Sequence, residues 1–361
     1  MELKEKIIGG IQQIGIGVTD LYEAWKWYAK HFGMDIKAFE DDTIAELMLP
    51  YTGGQPQKRH AALALNLQGG GGFEIWQYTS RTPQICKKQI KIGDLGIFSA
   101  KLKSVNIFKA FEYFKNINAS ISNEVKKNPS GQYTFFVKDP FGNIFEICEF
   151  GEIFKNEKKY TGGIYGVIIG VLDIEKALLL YRDILGYDKI LYDVTGTFDD
   201  IKVIPGGEEI IRRVCLTHSK PRYGSFSKLY GTSCIELVKC VNRNPEKIYE
   251  GRFWGDPGFI HLCYDIQGMD FLKKECNEKG FQFAVNSDIK HNIENSFDMG
   301  EASGHFSYVE DNGGTLIEFV EVHKLPIIKS LGIGINMRKR NPYKPFPSWV
   351  LKLMSVNRVK F

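Results

Sequence analysis

Four times along this chain an apolar run is interrupted by a single glutamate: Phe73-Glu74-Ile75-Trp76, Phe145-Glu146-Ile147-Cys148, Ile235-Glu236-Leu237-Val238 and Ile317-Glu318-Phe319-Val320. Each run reads as a β-strand, because its residues are those enriched in strands. Side chains alternate between the two faces of a strand, so Leu316, Glu318 and Val320 share one face and Ile317 and Phe319 the other. Apolar residues on both faces leave the glutamate little access to water. A buried carboxylate is costly unless it is paired, hydrogen-bonded or bound to a metal. Its fourfold recurrence points to repeats with a common interior site able to hold a cation.

The repeat is visible elsewhere. Gln13-Ile14-Gly15-Ile16-Gly17-Val18-Thr19-Asp20 leads into a helical pattern through Ala24, Trp27 and Tyr28 to Gly33. Similar text returns as Gly166-Val167-Ile168-Ile169-Gly170-Val171-Leu172-Asp173, followed by Ala177, Leu180, Tyr181 and Gly186. A strand, an aspartate N-cap, an amphipathic helix, a glycine C-cap and further strands make each unit a β-α-β-β-β module. More diverged copies start at Gly93-Asp94-Leu95-Gly96 and Gly255-Asp256-Pro257-Gly258. They close on hairpin turns, Asp139-Pro140-Phe141-Gly142-Asn143 before Glu146 and Asp311-Asn312-Gly313-Gly314-Thr315 before Glu318. The reading is four modules in two pairs.

Composition sets the frame. A 43% hydrophobic and 25% charged chain of 361 residues is ordinary for globular protein. No apolar run reaches the roughly 20 residues that span a bilayer, and the acids among residues 1–6 do not suit a secretory signal, so a cytoplasmic protein is expected. The seven cysteines are never spaced Cys-x-x-Cys and read as small core residues of a reducing compartment.

The Val-x-Asp end of the opening strand, the Asp-Pro-x-Gly-Asn-x-x-Glu close and the paired modules together resemble the vicinal oxygen chelate superfamily. Lactoylglutathione lyase, extradiol dioxygenases, methylmalonyl-CoA epimerase and the fosfomycin and bleomycin resistance proteins are members. The resemblance covers about residues 8 to 323. It implies an α+β fold of four β-α-β-β-β modules paired into two glyoxalase-like cups: an N-terminal domain over 8–151, a C-terminal domain over 161–323, and a basic tail over 324–361. In that family a divalent metal is held by one residue from the first strand and one from the last strand of each module in a cup. Pairing successive modules places Gln13, Glu74, Ser99 and Glu146 in one cup and Gly166, Glu236, His261 and Glu318 in the other. Glu236, His261 and Glu318 are the expected metal ligands, with Mn, Fe(II), Ni, Co or Zn as the ion. Gln13, Glu74 and Glu146 form a possible second site, weakened by Ser99 where a histidine is expected. Glycine at 166 argues against extradiol chemistry, which needs a histidine there.

With such an ion, a substrate bearing vicinal oxygens is expected to undergo lyase or isomerase chemistry, with Glu236 or Glu318 as the proton-transferring base. The alternative is a metal-free protein that binds or sequesters a small molecule, as bleomycin resistance proteins do. Trp76, Tyr78 and His305 are the expected lining of a ligand cavity. Arg81, Arg212, Arg213, Arg222 and Arg252 read mainly as surface charges. Gly69-Gly70-Gly71-Gly72 precedes a strand and not a helix, so it reads as a flexible hairpin loop and not as a phosphate cradle.

Residues 324–361 carry nine basic residues and no acid, while the rest of the chain has 38 basic and 43 acidic residues. Ser348 to Met354 reads as a short helix that packs Trp349 and Leu353 against the body or a second subunit, in preference to a membrane. Nucleic acid is not expected, because no stacking-aromatic module accompanies the basic cluster. A small-molecule substrate and a possible homodimer complete the expected partners.

Overall fold

The computed structural model describes residues 3–119, 124–287, 297–298, 303–328 and 333–361. The first module consists of β1 (Ile7–Gly17), α1 (Leu21–Phe32), β2 (Ile36–Ala45), β3 (Gln57–Leu65) and β4 (Gly72–Tyr78). The second has β5 (Gly96–Ser104), α2 (Ile107–Asn116), β6 (Lys126–Lys127), β7 (Tyr133–Lys138) and β8 (Ile144–Glu149). The third has β9 (Ile164–Gly170), α3 (Ile174–Leu178, continued by a π-helical turn over Leu179–Ile184), β10 (Lys189–Gly196), β11 (Ile211–Thr217), the short α4 (Ser227–Tyr230) and β12 (Cys234–Cys240). The fourth has β13 (Gly258–Gln267), α5 (Met269–Glu278), β14 (Val285–Asn286), β15 (Phe297–Asp298), β16 (Ser303–Glu310) and β17 (Leu316–Ile328). The tail adds β18 (Ile333–Asn336) and α6 (Ser348–Lys352).

The aspartate caps act as the sequence implies: Asp20 accepts a hydrogen bond from the Glu23 amide at 2.9 Å and Asp173 one from the Lys176 amide at 3.2 Å. Gly33 ends α1 at φ 68°, a conformation that favours glycine.

The two curled sheets do not follow the two halves of the chain. One runs β14-β16-β17-β13-β1-β4-β3-β2, with β15 and β18 at its margin, and so joins the fourth module to the first. The other runs β10-β11-β12-β9-β5-β8-β7-β6 and joins the third to the second. The seams are antiparallel: Gly15 lies opposite His261 across β1 and β13, and Ile168 opposite Ser99 across β9 and β5. The expectation that successive modules share a cup is thereby corrected. Every cup takes one module from residues 8–151 and one from 161–323.

The halves are tied in another way. The Tyr28 hydroxyl of α1 donates to Asp139 in the second module's hairpin at 2.7 Å, and Tyr181 donates to Asp311 in the fourth module's hairpin at 2.8 Å. Each aspartate also accepts backbone amides of its own turn, Asp139 from Phe141 and Asn143, Asp311 from Gly313 and Thr315. Successive modules are therefore clasped through helix and hairpin, whereas the sheets pair across the halves.

Alternation explains the burial of the glutamate strands. Phe73, Ile75, Phe145, Ile147, Ile235, Leu237, Ile317 and Phe319 enter one core shared by the convex faces of both sheets and the helices. The glutamates face the concave sides. Gly69–Gly72 is not a flexible loop: these residues are buried where the two sheets cross, with the Gly163 amide on the Gly69 carbonyl at 2.7 Å and the Ile164 amide on the Gly71 carbonyl at 3.1 Å. A Cβ on Gly70 would strike the backbone at Gly163 and Ile164, so the close approach requires glycine.

The tail docks, but not through Trp349. Phe346 and Leu351 are buried against Phe226, Leu229 and Tyr230, and Arg358 pairs with Asp35 and Glu157. Trp349 lies on the outward side of α6, 67% exposed, which corrects the expected packing of its indole within the chain. The seven cysteines are free thiols, six of them buried.

The clasp is testable. Tyr181→Phe removes the hydroxyl bond and leaves Asp311 short of a buried donor, so urea unfolding should show a loss of about 1–3 kcal/mol. An unchanged midpoint would show that the clasp contributes nothing.

Candidate metal centre

In the cup formed by the first and fourth modules, four expected ligand positions meet. Gln13 comes from β1, Glu74 from β4, His261 from β13 and Glu318 from β17. The His261 Nε2 stands 3.1 Å from Glu74 Oε2 and 3.2 Å from Glu318 Oε2. The Gln13 Nε2 lies 3.4 Å from each of the same two oxygens. The ligand-type atoms of Glu74, His261 and Glu318 all fall within 4.8 Å of one another and form a group able to hold a metal ion.

These spacings match a cage for a small divalent cation. Donors about 2.1 Å from a common centre stand about 3.0 Å apart at right angles and about 3.4 Å apart at tetrahedral angles. The bonding of the group is incomplete as it stands. Neither carboxylate lies along the direction required for a hydrogen bond from the imidazole, and both nitrogens of His261 and the Oε1 of Gln13 are buried without a hydrogen-bond partner. A half-turn of the Gln13 amide brings Oε1 to the cage.

Neighbours fix the ligands. The Tyr308 hydroxyl donates to Glu318 Oε1 at 2.6 Å. The Trp254 ring stacks on the His261 ring, with centroids 5.9 Å apart and planes 15° apart, and meets Trp76 and Tyr308 edge-on. The loop carrying Trp254 is pinned by the buried Asp256, whose carboxylate accepts from Arg81 at 2.6 Å and from the amides of Gln84 and Phe253. Gly15 makes room for the imidazole, since a Cβ there would run into the His261 ring.

Burial lowers the His261 pKa, but Glu318 and Glu74 outweigh it and bring it up to about 9. Burial raises the Glu318 pKa, and the opposing effect of His261 and Tyr308 leaves it lowered. Without an ion, a proton on His261 supplies the positive charge between the two carboxylates.

Glu236 is absent from this centre, which corrects its expected grouping with His261 and Glu318. It lies in the second cup with Glu146, and Gln13 and Glu74 are correspondingly not grouped with Glu146. The registers show why: Lys101 in β5 lies opposite both Glu146 and Gly166, while Ser99 lies opposite Ile168, which itself lies opposite Glu236. Gly166, Glu236, Ser99 and Glu146 therefore occupy the positions of Gln13, Glu74, His261 and Glu318. Both departures from the ligand pattern fall in one cup, and the other keeps the complete set.

In the second cup Lys101 pairs with Glu146 and, at 2.7 Å, with Glu236. Arg213 donates to Glu236 at 2.6 Å and to both oxygens of Asp200 at 2.8 and 2.9 Å, and Thr134 donates to Glu146 at 2.7 Å. Arg213 is thus a buried partner and not a surface charge. Burial raises the Glu236 pKa, but Arg213 and Lys101 overcome it and bring it down to about 2.

Trp76 and Tyr78 are placed in the first cup, packed with Met48, Trp254, Ile260 and Tyr308. Tyr78 donates to the Trp254 carbonyl. His305 does not join them. It lies opposite Glu321 in the β16–β17 register, on the face away from Glu318, with its Nε2 2.6 Å from Asn286 Oδ1.

Sequence reasoning missed Lys101, Trp254 and Tyr308. Lys101 was within reach, since it lies two residues beyond Ser99 and alternation gives both one face. Trp254 sits in a connecting segment with no strand or helix period to place it.

Residues 10–147 match the family model of the Glyoxalase/Bleomycin resistance protein/Dioxygenase superfamily. Among curated proteins none matches the chain in sequence. Among solved structures, glyoxalase I from Zea mays is similar at 14% identity over 88% of this chain and 92% of its own, with a TM-score of 0.51. A candidate dioxygenase from Bacillus subtilis is similar at 15% identity over 87% of this chain and 86% of its own, with a TM-score of 0.55. Residues 10–147 thus carry the signature of that superfamily, and the chain as a whole shares the four-module fold of these structures. Among the described residues no helix is long and apolar enough to cross a membrane.

The raised pKa of His261 predicts linkage between metal and proton. A ligand nitrogen must be deprotonated, so at pH 7.5 uptake of Mn or Zn should release about one proton, with affinity rising with pH until about 9. Calorimetry in buffers of different ionisation enthalpy measures this release. Affinity independent of pH between 6.5 and 8.5 would contradict it.

Proposed function

We propose that the cup of Gln13, Glu74, His261 and Glu318 binds a divalent metal, Mn, Fe(II), Ni, Co or Zn, and carries out lyase or isomerase chemistry on a small molecule with adjacent oxygens. The observation that supports this most is the 3.1–3.4 Å spacing of two carboxylate oxygens and two ligand-bearing side chains around one point, with unmet hydrogen-bonding capacity on His261 and Gln13. A bound ion polarises an oxygen next to a carbon–hydrogen bond and so acidifies it.

The remaining roles fall to the chain. Glu318 is anchored by Tyr308 and faces His261, so it serves best as a fixed ligand. Among the described residues Glu74 meets the His261 imidazole and the Gln13 amide, and its side chain keeps 12% exposure. It is the freer carboxylate and the one we assign to proton transfer, where Glu236 or Glu318 was expected. Trp76, Tyr78 and Trp254 form an apolar wall that limits water around the reacting carbon. The protein works in a reducing compartment such as the cytoplasm, as one chain or a homodimer, with its duplicated halves at 8–151 and 161–323.

The aromatic wall also suits a metal-free small-molecule binder, and metal analysis separates the two readings. Protein purified without chelator or metal-binding tag should carry one divalent ion per chain. His261→Ala should lose it with the fold intact, and Ser99→Ala should leave it in place. On the metal-loaded protein, Glu74→Gln should slow solvent deuterium exchange next to the carbonyl of α-hydroxy ketones by about 100- to 10,000-fold. Protein that binds no divalent metal after reconstitution would favour the binding reading.

A further inference from the structure

The second cup repeats the two glutamates of the first, has Gly166 and Ser99 at the positions of Gln13 and His261, and meets the same electrostatic problem without an imidazole. Glu146 and Glu236 are fully buried and face a common interior, and Lys101, itself 1% exposed, reaches between them. Its ammonium stands with respect to these carboxylates as the caged centre of the first cup stands to Glu318 and Glu74. The side chains around it differ accordingly. Where the first cup pairs Gly15 with His261, the second pairs Ile168 with Ser99, and the Ile168 side chain joins Phe98, Phe136, Ile201 and Val238 in an apolar plug. One bond is incomplete: Glu236 Oε2 is buried and close to Lys101 but lacks a partner in hydrogen-bond geometry.

We propose that the second cup is a cation site filled from within, in which the Lys101 ammonium holds the place of a divalent ion and which takes up such an ion once that ammonium is removed. Charge supports the exchange. Lys101 and Arg213 face Glu146, Glu236 and Asp200, so removal of Lys101 leaves three carboxylates against one guanidinium. The carboxylates then take up protons or hold a cation. The oxygens within reach belong to Glu146, Glu236 and the Thr134 hydroxyl, with Ser99 at the vacated histidine position. Such an all-oxygen set suits a hard ion, Mn or Ca, in preference to Zn. The consequence for the natural protein is one exchangeable metal per chain, with the second cup inert toward chelators.

The test is Lys101→Ala, with Mn binding counted by equilibrium dialysis and thermal melts recorded in EDTA and in excess Mn. The variant should bind one Mn more than the parent chain. It should melt lower than the parent in EDTA and recover more of its melting temperature on Mn addition than the parent gains. The readout is a difference from the parent, so a parent chain that binds no metal defeats the proposed activity and leaves this inference standing. A variant that binds no extra Mn, or that is as stable as the parent in EDTA, overturns it. Should Lys101→Ala not fold in EDTA, folding on Mn addition supports the proposal. Failure to fold in Mn, while the charge-balanced Lys101→Met/Glu146→Gln folds, counts against it.

Discussion

The antiparallel seam between β1 and β13 is the pairing on which the candidate centre depends. It sets Gly15 opposite His261 and Gln13 opposite Cys263, and through the parallel neighbours β4 and β17 it places Glu74 beside Gly15 and Glu318 beside Cys263, on one concave face. A slip of one residue would turn the ligands of one strand onto the convex face, into the apolar core. That penalty is large because the convex core is continuous with the helices and with the other sheet. The geometry of the candidate centre is therefore enforced by hydrophobic packing on the far side of the same strands.

The two cups answer one problem in two ways. Each inherits a pair of buried carboxylates from strands that are apolar on both sides, and each must supply compensating positive charge. In the first cup the counter-charge is exchangeable, a proton on His261 or a metal ion, and Glu74 and Glu318 retain slight exposure. In the second the counter-charge is covalent and Lys101, Arg213, Glu146 and Glu236 are sealed. Buried ion pairs of this kind hold a specific arrangement well and are costly to break from one side. One module pair thus keeps a group able to hold a metal ion, while the corresponding group of the other is closed by internal ion pairs.

The fold was legible in the sequence because its signals are local. The glutamate strands, the Asp20 and Asp173 caps and the hairpins at Asp139 and Asp311 each depend on a few adjacent residues. The ligand positions were legible too, since Gln13, Glu74, His261 and Glu318 stand where the repeat places them. The pairing of modules was not, because sequence adjacency favours neighbours and the seam is decided by contacts between distant strands. That single choice sent Glu236 to His261 and hid the complete ligand set. Lys101 escaped notice because a lysine in a strand is ordinarily a solvated residue, and only the convergence of two carboxylates makes its burial favourable. His305 was misplaced by one face, the usual cost of judging register from a turn several residues away.

The crossed pairing also sets a schedule for the chain as it is made. Gln13 and Glu318 are separated by 305 positions, so the earliest ligand waits for the latest. At ribosomal rates of about 5–20 residues per second that wait is roughly 15–60 s. For most of it, until β13 has been made, β1 has its parallel neighbour β4 but no partner on the seam side, and the second sheet, built from central segments, can close before the first. The Tyr28–Asp139 clasp is available early and can hold the first two modules together meanwhile. The nascent N-terminal half thus carries an open sheet edge until β13 has been made, and it is at that edge that the chain is most exposed to pairing with the wrong strand.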